Sequence, residues 1–264
     1  MLELTTEQWV LGMIGALLVG LTKGGVPGIG NLTAGIFAVI FASKASVGIL
    51  LPILISGDVV AILVYRKHAN WPMVFRLLPW TIVGLVLGWI FLGKIDDRGI
   101  QVLIGLILIL MSAAQWMRHR LTGEGSRLAE WDIRGSRIFR GLSGVLAGST
   151  TMLANAAGPV ASLYFISMGL PKYAFIGTAA WFFFIVNVIK VPFMVQREIL
   201  HFESLSISLV FIPMTVIGAL IAPKIVRWIR QDVFEGLIWF FIVVAGIGLL
   251  VKPDWPRYLF FYVS

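Results

Sequence analysis

An interruption in an apolar segment constrains the fold of this chain more than any other feature. Residues 21–33 read Leu-Thr-Lys-Gly-Gly-Val-Pro-Gly-Ile-Gly-Asn-Leu-Thr and lie between two apolar runs. In the hydrocarbon core of a bilayer, irregular backbone exposed to lipid would leave its N–H and C=O groups without partners. The stretch must therefore line a cavity or be buried in protein. A second interruption covers residues 148–159, and paired interruptions of this kind are typical of transporter binding sites.

The composition indicates that the apolar runs belong to membrane spans. Of the 264 residues, 59% are hydrophobic and 13% are charged, which is more apolar surface than one soluble core can bury. The runs are continuous and do not alternate with period two, so they favour helices over a strand barrel. We therefore predict an all-α polytopic membrane protein. The net charge of +8 comes from basic residues in short loops, and it predicts orientation rather than nucleic-acid binding.

Two short-armed hairpins and six full spans account for the apolar pattern. The first half has arms at residues 9–22 and 32–41, then spans at 46–65, 74–92 and 99–117. The second half has arms at 138–147 and 160–168, then spans at 174–195, 205–225 and 233–251. At ~1.5 Å per residue no arm reaches across a core of ~30 Å. Each hairpin is therefore predicted to be V-shaped and to enter half of the membrane.

The two halves resemble each other in sequence and are predicted to be inverted repeats, because a hairpin and three spans cross the membrane an odd number of times. The matching positions are Pro79, Thr81 and Gly84 with Pro213, Thr215 and Gly218, Lys44 with Lys172, and Asp58 with Asn187. We assign residues 1–118 to the first repeat, 119–137 to a cytoplasmic basic linker, 138–252 to the second repeat and 253–264 to an interfacial tail. With the N-terminus outside, thirteen Lys and Arg fall in inner loops and six in outer ones, as the positive-inside rule requires. The first segment lacks a basic n-region and a cleavage site, so we expect it to be retained.

The two hairpin tips are the predicted functional site. Each returning helix is predicted to begin at a proline, Pro27 or Pro159, and two helix N-termini aimed at one place would form an anion site. Lys23 adds a full positive charge there. Because a charge in the low-dielectric midplane of the membrane is costly, we expect an anion to lie beside it. The candidate substrate-binding residues are Lys23, Gly24, Gly25, Gly28, Gly30, Asn31, Ser149, Thr150, Thr151, Asn155 and Gly158.

Three further polar residues inside spans form a candidate coupling seam, Asp58, Asn187 and Lys190. Either Asp58 pairs with Lys190 or Lys23 as a buried structural salt bridge, or it takes and releases a proton that couples transport to a gradient. Lys23 has the alternative of reaching a surface if its segment spans fully. For the glycines the alternative is close helix packing, above all at Gly20, Gly35 and Gly148.

Enzymatic chemistry is not predicted. The spans hold no histidine, no cysteine, no paired carboxylates and no cluster of metal ligands, so neither a cofactor nor a metal is expected. A serine–lysine dyad of Ser149 and Lys23 is the one enzymatic alternative. A passive anion channel of the same architecture is the principal alternative to a carrier.

Several motifs together resemble one known family. They are residues 19–25 (Val-Gly-Leu-Thr-Lys-Gly-Gly), 50–52 (Leu-Leu-Pro), 155–159 (Asn-Ala-Ala-Gly-Pro), 169–172 (Gly-Leu-Pro-Lys) and 177–183 (Gly-Thr-Ala-Ala-Trp-Phe-Phe). In this combination the chain resembles the TauE/SafE family of sulfite and organosulfonate permeases, also called TSUP. The resemblance implies a transporter of the bacterial-type inner membrane that moves small sulfur oxyanions such as sulfite or sulfoacetate. It leaves open whether protons are coupled to transport and whether the chain forms a homo-oligomer in the lipid bilayer.

Overall fold

The computed structural model consists of helices joined by short turns in the part of the chain that it describes, which comprises residues 4–27, 43–92 and 136–251 with positions 30, 33, 36, 37, 40, 41, 106, 109 and 113. The helices are α1 (Thr6–Lys23), α2 (Ser43–Tyr65), α3 (Trp71–Phe91), α4 (Arg137–Ala154), α5 (Ala157–Ser167), α6 (Lys172–Gln196), α7 (Phe202–Trp228) and α8 (Gln231–Val251), with a 3₁₀ turn at Arg66–His68. Four of these described segments are long and apolar enough to cross a membrane: Ala45–His68, Trp71–Phe91, Lys172–Gln196 and Phe202–Trp228. The prediction of an all-α polytopic membrane protein is confirmed.

Some predicted elements lie largely or wholly outside the described residues. They are the span at 99–117, the linker at 119–137, the tail at 253–264 and much of the returning arm at 32–41. Within that arm, positions 33, 36, 37 and 40 are helical.

The first arm of each hairpin is longer than predicted. Both α1 and α4 contain 18 residues, which is about 27 Å of helix and close to the ~30 Å of a hydrocarbon core. The helix α4 continues past residue 147 because Ser149 and Thr150 donate their hydroxyls to Val145 O (2.9 Å) and Leu146 O (2.7 Å) one turn back. Such bonds let polar side chains stay inside a helix. The returning helix α5 has 11 residues, about 16 Å, so the second hairpin is asymmetric.

Both first arms are capped at their ends by local sequence. At the start of α1, Gln8 N donates to Thr5 Oγ1 (3.3 Å) and Thr5 N donates to Gln8 Oε1 (3.0 Å), a capping box. The arm is followed by Gly25 at φ 105°, a conformation that favours glycine. The helix α4 ends at Asn155 in the left-handed region, φ 52°, which asparagine tolerates better than most residues. The two breaks therefore arise from backbone conformations that their sequences favour.

Glycines bring two pairs of parallel helices into close contact. A Cβ at Gly20 of α1 would lie 2.0 Å from Thr215 O and 2.7 Å from Ala219 N of α7. A Cβ at Gly148 of α4 would lie 2.1 Å from Thr81 O of α3. Thr81 and Thr215 are matched positions of the predicted repeat, and Gly20 and Gly148 have the same spacing in sequence as the matched Lys44 and Lys172. The inversion of the two halves stays a prediction, but these matched contacts are those that two repeats related by a two-fold axis would make.

Adding one methyl group at either crossing is expected to destabilise the protein. In Gly20→Ala and Gly148→Ala the new Cβ meets backbone atoms that cannot rotate away, so the helices must separate, at a cost of about 1–3 kcal/mol. Gly236→Ala is the control, because a Cβ there has no heavy atom within 4 Å. Thermal unfolding in detergent should show lower midpoints for the first two variants and an unchanged or higher midpoint for the control. Equal midpoints in all three would contradict the tight crossing.

Candidate functional site

A cavity of about 160 Å³ lies where the two hairpin tips meet α2, α6 and α8. Its described lining contains two charged side chains, Lys23 and Asp58, set among many apolar ones. The predicted site residues that line it are Lys23, Gly25, Gly30, Asp58, Thr151, Asn155, Gly158 and Asn187. The cavity can hold several water molecules or a small anion, since about 10–15 Å³ of such volume holds one water.

Lys23 forms an ion pair with Asp58 inside the protein. Lys23 Nζ lies 2.7 Å from Asp58 Oδ1, and the Asp58 carboxylate is fully buried while 12% of the Lys23 side chain is exposed. Asn187 Nδ2 donates to the other carboxylate oxygen, Asp58 Oδ2, at 2.8 Å. The ammonium of Lys23 also lies 4.5 Å from the ring centre of Phe183, a favourable cation–π distance. Of the two predicted pairings of Asp58, the structure has the one with Lys23.

Lys190 is buried behind the second tip and is held by neutral oxygens. Its ammonium donates to Thr151 O at 2.6 Å and to Asn155 Oδ1, with Thr151 Oγ1 at 3.4 Å. The same Asn155 side chain donates from Nδ2 to Val47 O of α2 at 3.2 Å. Lys190 is 0% exposed, and in the described part of the chain no carboxylate contacts it. The break between α4 and α5 is thus bound to α6 and α2 through one lysine and one asparagine.

The two tips differ in how their backbone polar groups are satisfied. At the first tip, Tyr65 donates its hydroxyl to Gly24 O at 3.0 Å and so satisfies a carbonyl at the end of α1. At the second tip, α5 begins at Ala157 with no side-chain cap, and Ala157 and Gly158 both line the cavity. The first N–H groups of a helix have no partner within the helix and carry its partial positive charge. The start of α5 therefore offers backbone N–H groups that carry no formal charge and are suited to binding an anion.

Several predicted site residues lie elsewhere. Gly24, Ser149 and Thr150 do not line the cavity; Gly24 packs against Ala222, and the two hydroxyls bond within α4. Gly28 and Asn31 lie outside the described residues. The returning helix α5 begins at Ala157, two residues before the predicted Pro159. Pro27 precedes the helical position Gly30, and the residues between them are not described.

Other lining residues were missed by the sequence analysis. They include Thr22, Thr33, Ser162, Phe175, Phe183 and Phe234. The signal for Phe183 is its position one turn before Asn187 on the same helix face, since residues four apart are neighbours. The aromatic side chains of membrane spans are too common for their sequence alone to mark a site.

The fold and the cavity are those of a polytopic membrane protein: helices of spanning length surround a mainly apolar cavity that contains the Lys23–Asp58 ion pair. The model of one family, Sulfite exporter TauE/SafE, matches residues 12–249, which is most of the chain. The protein therefore belongs to the TauE/SafE sulfite exporter family. No match was found among curated proteins or among solved structures.

Proposed function

We propose that this protein is a secondary transporter for a small sulfur-containing oxyanion, such as sulfite or a sulfonate of the sulfoacetate type. The observation that carries the proposal is the cavity at the hairpin tips, where Lys23, the uncapped start of α5 and polar side chains converge in an apolar interior. Oxygens of sulfite and sulfonate accept hydrogen bonds, and both the Lys23 ammonium and backbone N–H groups donate them. Family membership supports the substrate class.

The ion pair suggests how anion binding and proton movement are coupled in this proposal. Lys23 cannot satisfy an entering anion fully while it remains paired with Asp58 at 2.7 Å. Protonation of Asp58 would remove its negative charge and free Lys23 for the substrate. Loss of that proton on the other side would draw Lys23 back and favour release. Alternating access would come from one repeat moving against the other.

The orientation is proposed from the distribution of basic residues. The end of α2, the start of α6 and the end of α7 lie at the same end of the bundle. A Cβ at Gly177 of α6 would lie 2.7 Å from Tyr65 O of α2, and Lys172 Nζ of α6 donates to Val226 O of α7 at 3.0 Å. This end carries Arg66, Lys67, Arg76, Arg137, Arg140, Lys172, Lys224, Arg227 and Arg230, whereas the opposite end of the described helices carries Lys44 and Arg197. We propose that the basic end faces the cytoplasm of a bacterial-type inner membrane and that the N-terminus is outside.

Flux through the purified protein in proteoliposomes tests the proposal. We expect saturable uptake of sulfite or sulfoacetate that responds to an imposed pH gradient, with empty liposomes as the baseline. Sodium nitrate under the same gradient is the control for a general anion leak. Absence of flux for every sulfur oxyanion tried would overturn the proposed substrate class.

A passive anion channel is the second candidate function. The four neutral or positive groups at the cavity, Lys23, Asn155, Asn187 and the start of α5, would suit a selective pore as well. A channel would conduct without saturation over the same concentrations and would not accumulate the anion against its gradient. An intramembrane enzyme has less support, because Ser149 bonds within α4 and does not line the cavity with Lys23.

A further inference from the structure

The two buried lysines near the cavity differ in how their charge is balanced. Lys23 lies 2.7 Å from the Asp58 carboxylate. Among the described residues, the ammonium of Lys190 is contacted by oxygens of Thr151 and Asn155. Neutral oxygens solvate an ammonium through their dipoles, but they bring no compensating negative charge. A buried charge without a counterion is costly, so binding of an anion nearby would stabilise the protonated form of Lys190, and a protonated Lys190 would in turn favour binding of the anion.

The network joins both lysines to the cavity. The Asp58 carboxylate contacts Lys23 on one side and Asn187 on the other. Asn187 precedes Lys190 by three residues on α6, a rise of about 4.5 Å on the same helix face. Asn155 and Thr151, which hold Lys190, both line the cavity. With both lysines protonated and Asp58 ionised, this described cluster carries one net positive charge.

The predicted repeat shows that the second lysine has no counterpart in the first half. The alignment that pairs Gly20 with Gly148 places Lys23 opposite Thr151, and the one that pairs Asp58 with Asn187 places Lys190 opposite Ala61. Each half thus contributes one lysine, from α1 in the first half and from α6 in the second. Only the first half contributes a carboxylate, so the surplus charge arises from this difference between the halves.

We propose that Lys190, in its protonated form, supplies a positive charge that favours anion binding in the cavity, acting through Asn155 and Thr151 without touching the substrate itself. In this arrangement the Lys23–Asp58 pair has no net charge until Asp58 is protonated. Until then, the positive charge that attracts an anion to the cavity is that of Lys190. Lys190 is therefore a positioning and selectivity residue. The inference rests on the proposed function for the identity of the anion, but not for the sign of its charge.

Binding of sulfite and of nitrate to the purified full chain in nanodiscs, measured by calorimetry, tests the inference. Lys190→Met removes the charge and the donors, whereas Lys190→Gln removes the charge and keeps hydrogen-bond donors. We expect both variants to bind sulfite at least about tenfold more weakly than the wild type, because each removes a unit positive charge held by two residues of the cavity lining. Ser143→Ala, which changes a buried residue of α4 that does not line the cavity, should bind like the wild type.

Asp58→Asn tests with the opposite sign whether the net charge of the cluster governs anion binding, a premise of the proposal, and this test does not depend on the folding of a Lys190 variant. That variant leaves both lysines without a carboxylate, so sulfite should bind about tenfold more tightly. Wild-type affinity in Lys190→Gln would overturn the role of Lys190 as a source of charge and leave it a purely structural contact. Unchanged or weaker affinity in Asp58→Asn would show that the charge of the cluster does not govern binding, and would overturn the role as well. If the wild type binds nitrate but no sulfur oxyanion, and Lys190→Met abolishes that binding, the inference stands and the proposed substrate class fails. A wild type that binds no anion would overturn both.

Discussion

Replacing Lys23 by methionine is expected to reduce sulfite flux in proteoliposomes by about 30- to 5,000-fold. Methionine keeps the length of the side chain but removes the one cationic donor in the described cavity lining. It also leaves the fully buried Asp58 without its ion-pair partner. Truncating one partner of a buried, hydrogen-bonded charge pair typically costs about 2–5 kcal/mol, which sets the size of the expected loss.

Two further variants separate the loss of transport from the loss of folding. Lys224→Met removes the same charge from an exposed position at the basic end, and it should transport like the wild type. The double variant Lys23→Met/Asp58→Asn removes both charges of the pair, so no uncompensated buried charge remains, and it should be as stable as the wild type. We expect it to remain inactive. Full flux in Lys23→Met would assign Lys23 a structural role, and the anion site would then have to lie elsewhere.

The spans and the meeting of the two tips could be predicted from sequence, because each depends on a strong local signal. Continuous apolar runs gave the positions of the long helices to within a few residues, as for α6, predicted at 174–195 and observed at Lys172–Gln196. The polar interruptions led to the expectation that residues near 25 and 155 line one cavity, and both Gly25 and Asn155 do so. The energetic penalty for unpaired backbone in lipid makes this inference robust.

The length of α4 could not be predicted in the same way. Residues 149–151, Ser-Thr-Thr, were interpreted as part of the interruption at 148–159 and as donors for a bound anion. In the structure, the hydroxyls of Ser149 and Thr150 bond to carbonyls of the preceding turn, which removes the need for a partner outside the helix. Composition does not distinguish these two outcomes, and only the left-handed Asn155 ends the helix.

The ion pair of Lys23 with Asp58 also could not be singled out from the sequence. Three ionisable residues within the spans allow more than one pairing, and the partners Lys23 and Asp58 are separated by a helix break and part of another helix. Their contact depends on how α1 packs beside α2, where a Cβ at Gly57 would lie 3.0 Å from Lys23 Cγ. Close approach at a glycine therefore lets the lysine reach the carboxylate, an effect that no local pattern encodes.

Converting Asp58 to asparagine is expected to abolish the response of transport to a pH gradient while downhill anion flux continues. Asparagine has nearly the same shape as aspartate, and its amide oxygen can still accept the hydrogen bond that Asn187 Nδ2 donates to Asp58 Oδ2 at 2.8 Å in the structure. Asparagine cannot take up or release a proton. In the proposed mechanism the return of Lys23 to an ionised Asp58 drives release, so the variant should lose accumulation against a gradient. Uptake measured with and without an imposed pH gradient would then give equal rates.

The control for Asp58→Asn is Asp232→Asn, since Asp232 is an exposed acid at the start of α8 that pairs with Arg230 at 3.2 Å. It should keep the full response to the gradient, because a solvated surface pair contributes about 0–1 kcal/mol and does not border the cavity. A wild-type protein with saturable, gradient-driven uptake beside an Asp58→Asn variant with downhill flux alone would assign coupling to this carboxylate. If the variant instead kept the dependence on the pH gradient, Asp58 would serve only to hold Lys23, and the proton would have to bind elsewhere. Equal, unsaturated flux in both proteins would favour the channel, since a pore needs no residue that alternates between two charge states.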